Sequence, residues 1–237
     1  MFRRGVAVAA LGALAALGSG CFALFELDGY GPATVDVEMP DSMVLDAPSL
    51  DAEVADVAPR PTKIVFVTSE VFVVGQGFSQ DIASAHSRCN VVAKRAGIEG
   101  EFKAWLSNSD ADPASEFAAL KNDGGDTNAL VTLAGTLIAS SYAELADSGP
   151  RVAIDVTETK ERAETATEDV CQQPFVVWTA TSSAGTRETT QGNCADWRTT
   201  SSSQNGGVGR IAAGPTAWTS ACQIPCNQRA HLYCFQQ

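Results

Sequence analysis

The sequence predicts one α+β domain over residues 62–237, with two helices, a mixed or antiparallel sheet and long loops, held together by disulfides. Strand-like runs of β-branched and aromatic residues alternate with an amphipathic helical pattern, which is typical of a mixed fold. Six of the seven cysteines lie between Cys89 and Cys234, and an even set is typical of a disulfide-bonded exported domain. The cysteines and most aromatic residues occupy one block, which favours one core over two.

Residues 1–20 read as a signal peptide. Two arginines precede an apolar run from Gly5 to Leu17, and this run is too short and too glycine-rich to span a membrane stably. Gly18-Ser19-Gly20 then precedes Cys21, which resembles the bacterial lipobox, although Leu17 lies one residue further from the cysteine than the preferred leucine. The resemblance implies that the Cys21 thiol receives a diacylglycerol. The alternative is ordinary signal-peptidase cleavage, with Cys21 a spectator.

Residues 21–61 are predicted to be a disordered tether that follows the lipidated cysteine. The segment carries a net charge of −8, contains five prolines and shows no lasting period of 2.0 or 3.6 residues. Such a chain averages roughly 35 Å end to end. A calcium-binding or partner-recognising acidic tail is the alternative. Phe22 follows Cys21 in place of an inner-membrane retention signal, so we expect an outer-membrane lipoprotein of the bacterial envelope, or a secreted protein.

The globular part begins with strand-like residues over 62–69 and 71–74, which predict a buried strand or hairpin. A helix is predicted over 81–96, with Ser79 as N-cap and Gly97 as C-cap. Its inner face is given by apolar residues at intervals of three and four: Ile82, Ala85, Cys89, Val92 and Ala93. Alternation over 101–107 predicts a half-buried strand.

In the second half of the domain, the sequence predicts shorter helices and strands. Residues 129–138 are extended, and a second helix follows near 141–146. Beyond Cys171, strand-like segments occur at 174–179, 207–212 and 230–235, separated by loops rich in Ser, Thr, Gly and Asn.

Several motifs in this order resemble the bacterial DUF1554 family. They are Cys89 on a helix, Lys103-Ala104-Trp105-Leu106-Ser107, Val177-Trp178-Thr179, Cys194-Ala195-Asp196-Trp197, Trp218 and Leu232-Tyr233-Cys234. That family is similar to the endostatin fold of collagen XV/XVIII, and so to C-type lectin-like domains, and it includes leptospiral outer-membrane lipoproteins. The resemblance covers about residues 63–237 and implies a C-type lectin-like (endostatin-like) domain.

The six cysteines permit fifteen pairings, and the residues alone do not select one. The resemblance implies that Cys89 joins Cys234 and that Cys194 joins Cys226. Cys171 is then left for Cys222, a bridge that endostatin does not have. A bond between Cys89 and Cys234 would staple the two ends of the domain.

The tryptophans and the acidic loops each have a binding interpretation and a structural one. Trp105, Trp178, Trp197 and Trp218 could stack on sugars, but packing in the core is the better prediction. The carboxylate and amide triplets with which C-type lectins bind calcium and sugar are absent from the sequence. Asp110-Ala111-Asp112 and Asp123-Gly124-Gly125-Asp126 lack the ligand spacing of a calcium loop, so solvated turns are expected.

The remaining residues give little basis for a cofactor or for catalysis. His86 and His231 are the only histidines, too few for the zinc site of endostatin, so we expect no metal and no cofactor. No nucleophile-elbow or metalloprotease motif is present, and a hydrogen-bonded His231 is expected. The sequence therefore predicts a non-enzymatic protein, with a secreted hydrolase as the least favoured alternative.

The charge of the domain narrows the class of partner. Residues 62–237 carry 13 basic and 19 acidic side chains, net −6, which argues against nucleic acid, anionic lipid and heparin-like ligands. The resemblance implies that the polar loops between Thr179 and Trp218 lie on the side that bears the ligand in C-type lectin-like domains. Long loops on a disulfide-bonded scaffold are a common binding arrangement. The candidate ligand-binding residues there are Arg187, Glu188, Asn193, Asp196, Asn205 and Arg210. The alternative is that these loops are simply solvated.

These observations predict a monomeric, surface-anchored lipoprotein that recognises an extracellular protein or glycan without catalysis. The membrane is contacted through the lipid alone. Leptospiral relatives suggest adhesion to host proteins, by family analogy only. The alternative is a structural envelope lipoprotein without a diffusible ligand.

Overall fold

A computed structural model of the chain describes residues 61–78, 81–117, 128–165, 171 and 174–237. The predicted signal peptide, Cys21 with its predicted lipidation and the predicted tether up to residue 60 lie outside the described residues, as do Ser79 and residues 123–126. Among the residues that are described, no helix is long and apolar enough to cross a membrane.

The largest element is a five-stranded sheet of order β3-β10-β1-β4-β5. Its strands are β1 (Thr62–Val67), β3 (Phe102–Ala104), β4 (Ala129–Val131), β5 (Leu137–Ala139) and β10 (Tyr233–Gln236). The β1–β4 pair is parallel and the other pairs are antiparallel, so the sheet is mixed. The coarse prediction of a mixed α and β fold with few helices is confirmed, although the described strands form several sheets and not one.

Strand β1 lies at the centre of the sheet and is buried on both faces. Phe66 packs in one apolar cluster, whereas Val65 and Val67 pack in a second cluster on the opposite face. Successive side chains of a strand point to opposite faces, so a run of apolar residues suits a strand that is covered on both sides.

Helix α1 (Ile82–Arg95) buries the predicted inner face, from Ile82 to Ala93. The N-cap is Asp81 and not Ser79, because the Asp81 carboxylate accepts a hydrogen bond from the Ser84 N–H at 2.9 Å. The cap at the other end is Ala96. Gly97 follows it with φ = +71°, the left-handed conformation that ends helices and that glycine adopts without strain.

Side chains of α1 complete the outer edge of β3. The Asn90 amide accepts a bond from the Phe102 N–H at 2.8 Å and donates one to the Phe102 carbonyl at 2.9 Å. His86 Nδ1 accepts a bond from the Ala104 N–H at 3.0 Å. These are the bonds that a further strand would make, so α1 satisfies an edge that could otherwise pair with another chain.

Two smaller sheets complete the strands. An antiparallel sheet joins β6 (Val176–Trp178), β7 (Asn205–Arg210) and β8 (Cys222–Pro225) in that order, and β2 (Phe72–Val73) pairs with β9 (Arg229–Ala230). Of the two alternatives predicted for the start of the domain, a buried strand or a hairpin, the hairpin is wrong, because β1 pairs with β10 and β4, and β2 pairs with β9. Strand β7 begins two residues before the predicted segment.

The remaining elements follow the prediction in outline. The extended 129–138 segment is the β4–β5 hairpin, and the second helix, α3 (Tyr142–Ser148), begins after Ser141, whose side chain accepts a bond from the Glu144 N–H. Helix α2 (Pro113–Glu116) is an additional single turn, capped by Asp112. Strand β8 was not predicted either, and the predicted 101–107 strand is reduced to β3.

The described residues form three disulfides: Cys89–Cys234, Cys171–Cys222 and Cys194–Cys226. Cys89–Cys234 and Cys194–Cys226 are the two pairs that the family resemblance implies, and Cys171–Cys222 joins the two cysteines that those pairs leave over. Cys89–Cys234 joins α1 to β10 across 145 residues of sequence and ties the two ends of the domain together. The tryptophans occupy the core, since all four are at most 1% exposed. Their sugar-stacking interpretation is therefore wrong.

Candidate ligand-binding surface

Five of the six candidate residues lie on one connected set of loops. Arg187 and Glu188 follow β6, Asn193 and Asp196 lie around the Cys194–Trp197 turn, and Asn205 begins β7. The turn and the strand are adjacent, because Asn193 bridges to Gly206. We call these loops the loop surface. Arg210 is separate from it, since it ends β7 five residues, or about 16 Å, beyond Asn205.

The turn that carries Asp196 is left-handed. Cys194, Ala195, Asp196 and Trp197 have φ values between 52° and 64°, and none of them is glycine. Left-handed backbone costs L-residues about 1–2 kcal/mol each. Such a conformation persists only where surrounding contacts determine it.

Covalent and packing contacts hold this turn in place. Cys194 is bonded to Cys226 and is buried, so the first residue of the turn is fixed to the end of β8. Trp197 is buried, and its indole N–H donates to the Ser107 carbonyl at 2.9 Å. The two ends of the turn are therefore anchored in the core, while Asp196 between them stays partly exposed.

Asp196 is the centre of a polar cluster. One carboxylate oxygen accepts from the Ser109 N–H at 2.8 Å and from the Asn193 amide at 2.6 Å, and the other accepts from the Ser109 hydroxyl at 2.8 Å. Partial burial by itself raises the pKa of Asp196, but these bonds and the Arg187 charge outweigh it, so the pKa lies below its usual value. Asp196 is therefore a fixed negative group at neutral pH.

The loop at 108–112 joins the same surface. Asp112 accepts a bond from the Arg187 N–H at 3.3 Å, and the Ala114 N–H donates to the Gly185 carbonyl at 2.8 Å. The sequence predicts Asp110-Ala111-Asp112 as a separate solvated turn and does not identify Ser109 as part of the binding surface. No local pattern reveals this contact, because Ser109 and Asp196 are 87 residues apart.

A second row of polar side chains continues from Glu188, namely Glu188, Thr190, Gln191, Ser220 and Gln223. Glu188 accepts from the Thr190 hydroxyl at 2.7 Å and from its N–H at 3.1 Å, and these bonds lower the pKa of Glu188. The Gln191 amide donates to the Ser220 hydroxyl at 3.1 Å, and Gln223 accepts from the Gly192 N–H at 3.0 Å.

Glycines let this loop lie directly on β7. A Cβ at Gly192 would stand 2.1 Å from the Asn205 carbonyl oxygen, and one at Gly206 would stand 2.7 Å from the Cys194 sulfur. Side chains at these positions would force the loop away from the strand. The glycines therefore let Gly192 lie against the Asn205 carbonyl and Asn193 pair with Gly206.

The chemistry of the loop surface is that of recognition by hydrogen bonds and charge. Exposed Arg187 and Asn205 offer donors, and Asp196 and Glu188 offer acceptors on a fixed backbone. The described part of the chain contains no group of three or more His, Cys, Asp or Glu side chains placed to hold a metal ion.

Both histidines are held away from solvent and in the neutral form. His231 Nδ1 donates to the Thr68 carbonyl at 2.5 Å, and burial lowers the pKa of His231. Burial likewise lowers the pKa of His86 to about 4. The hydrogen-bonded role expected for His231 agrees with this geometry.

Comparisons with known proteins do not assign a family: no protein-family model matches the chain, and no curated protein matches it significantly. Membership of the DUF1554 family and the C-type lectin-like fold therefore stay predictions from the motifs.

Proposed function

We propose that this chain is a surface-anchored, non-catalytic lipoprotein whose C-type lectin-like domain binds an extracellular protein or polysaccharide through the loop surface. The lipid on Cys21 would hold the protein at the bacterial outer membrane, and residues 22–61 would act as its tether. The proposal rests on the motifs of the DUF1554 family for the fold and on the loop surface for the function.

One observation carries the proposal: the left-handed turn at Cys194–Trp197 holds Asp196 and Asn193 in a fixed array beside Arg187. A disulfide and a buried tryptophan maintain this strained backbone. A loop that only connected two strands would not need a backbone conformation of such high energy. Polar groups that are fixed before binding lose little entropy when a ligand arrives.

The proposal is tested with glycan and matrix-protein arrays, followed by variants. Arg187→Ala and Asn205→Ala remove exposed side chains, so each is expected to weaken binding of a ligand about tenfold while the melting temperature stays within a few degrees. Arg229→Ala is the matched control, because it removes the same exposed guanidinium from β9.

A structural envelope lipoprotein predicts a different result. In that case no array component binds the wild-type protein saturably. Equal loss of binding in the Arg229→Ala control would also contradict the proposal, since the effect would then follow overall charge and not the loop surface.

A further inference from the structure

A hollow of about 170 Å³ lies at the C-terminal end of α1 and shares no residue with the loop surface. Its walls include Ser69, Glu70, Val92, Arg95 and Glu158. Sites for small organic ligands are usually about 300–1,000 Å³, so this hollow suits a single side chain.

Glu158 is a buried carboxylate in this hollow, and only 6% of the residue is exposed. Asp155, three residues earlier, is equally buried, and the Arg162 guanidinium lies 2.5 Å from it. Within the described part of the chain, no lysine or arginine forms an ion pair with Glu158. Buried charges in proteins are generally paired, so Glu158 lacks a partner of the kind that Asp155 has.

Ser69 fixes the position of the Glu158 carboxylate, and the C-terminal end of α1 adds negative potential beside it. Ser69 donates two hydrogen bonds to the carboxylate, from its N–H at 2.8 Å and from its hydroxyl at 2.5 Å. The negative end of the α1 dipole also lies at this wall of the hollow. Arg95 lines the hollow but is paired with Glu70, and both side chains are about half exposed. An exposed pair of this kind contributes little stability and can rearrange when a ligand enters.

The carboxylate geometry selects the type of cation. Each Glu158 oxygen already accepts one hydrogen bond from Ser69. On that side of the carboxylate, Ser69 therefore occupies the positions from which a guanidinium would donate its two parallel hydrogen bonds. An ammonium is a compact point charge that needs only one oxygen. Its alkyl stem could lie along Val92 and Ala96, which also line the hollow.

We propose that this hollow binds the side chain of a lysine from a partner protein, with Glu158 as the counter-ion of its ammonium group. The net charge of −6 on residues 62–237 would attract such a basic partner over a distance. The site is distinct from the loop surface, and the two proposals fail independently.

The test is an NMR titration of the full mature protein, following the backbone amides of Ser69 and Glu158. The probe is Nα-acetyl-lysine methylamide, and Nα-acetyl-norleucine methylamide is its control without the ammonium. The lysine probe is expected to shift both amides saturably, with a dissociation constant in the millimolar range that suits a single side chain, roughly tenfold below that of the norleucine probe.

Glu158→Gln keeps an oxygen that can accept a hydrogen bond from Ser69 but removes the negative charge. Its affinity for the lysine probe should therefore be about tenfold or more below that of wild type. Glu99→Gln, which removes a carboxylate elsewhere on the surface, should bind like wild type. Unchanged affinity in Glu158→Gln, equal binding of the two probes, or no saturable shift at 50 mM would overturn the proposal. So would calcium chloride shifting these amides where the lysine probe does not. If Glu158→Gln does not fold, as judged by circular dichroism, the two probes on wild type decide.

Discussion

Lowering the pH should destabilise the domain through His86. Its Nδ1 accepts a hydrogen bond from the Ala104 N–H at the edge of β3, and its side chain is only 13% exposed. Burial lowers the pKa of His86 from 6.5 to about 4, although the nearby Glu116 carboxylate acts in the opposite direction. Protonation of Nδ1 would also remove the acceptor that satisfies Ala104.

The sign and size follow from these two pKa values. Between pH 6.5 and about 4 the unfolded chain binds a proton at His86 that the folded chain does not, so the free energy of unfolding falls as the pH falls. Each pKa unit corresponds to about 1.4 kcal/mol, and at pH 4.5 the loss amounts to about 2.5 kcal/mol. At pH 7.5 the penalty is absent.

His86→Asn is the variant that isolates this effect. The asparagine oxygen can take the place of Nδ1 as acceptor for the Ala104 N–H, and it does not titrate. Urea unfolding of both proteins at pH 7.5, 6.5, 5.5 and 4.5 should show wild type losing about 2.5 kcal/mol more than the variant. His231, whose pKa is also lowered by burial, is present in both proteins and cancels in the difference. Parallel pH profiles would refute the reasoning.

Three further predictions concern the anchor and the scaffold. Cys21→Ala should abolish palmitate labelling and membrane fractionation, and equal labelling of the variant would exclude lipidation at this residue. Replacing Cys194 and Cys226 with Ala should lower stability by about 3–4 kcal/mol, measured by urea unfolding, because their bond closes a 32-residue separation. Trp178→Ala should lower the free energy of unfolding by about 3–5 kcal/mol, because it leaves a cavity in the core. A decrease below about 1 kcal/mol would contradict the burial of this side chain.

The elements that the sequence predicts well are those with a long local period. Helix α1 has 14 residues, and its apolar positions recur often enough to identify the inner face before any tertiary contact is known. The predicted segment omits Asn205 and Gly206, the first two residues of β7, because an asparagine followed by a glycine without a side chain shows no strand period. Strand β8 has only four residues and ends in Pro225, which reads as a loop.

The geometry of the loop surface depends on contacts between distant parts of the chain. Nothing in Cys194-Ala195-Asp196-Trp197 signals left-handed backbone, since the sequence lacks the glycine that usually adopts it. The disulfide to Cys226 and the burial of Trp197 determine that conformation. The contact of Ser109 with Asp196 has no local signal for the same reason. Arg210 shares the polar character of the other candidates, and the course of β7 places it apart from them.

Binding of the double variant Arg187→Ala/Asn205→Ala tests the role of the loop surface most directly. Wild type, this variant and Arg229→Ala are applied in parallel to the glycan and matrix-protein arrays, with melting temperatures measured on the same samples. We predict that wild type and Arg229→Ala bind the same component, whereas the double variant loses about a hundredfold in affinity and remains folded. A folded double variant that binds as tightly as wild type would contradict a binding role for this surface.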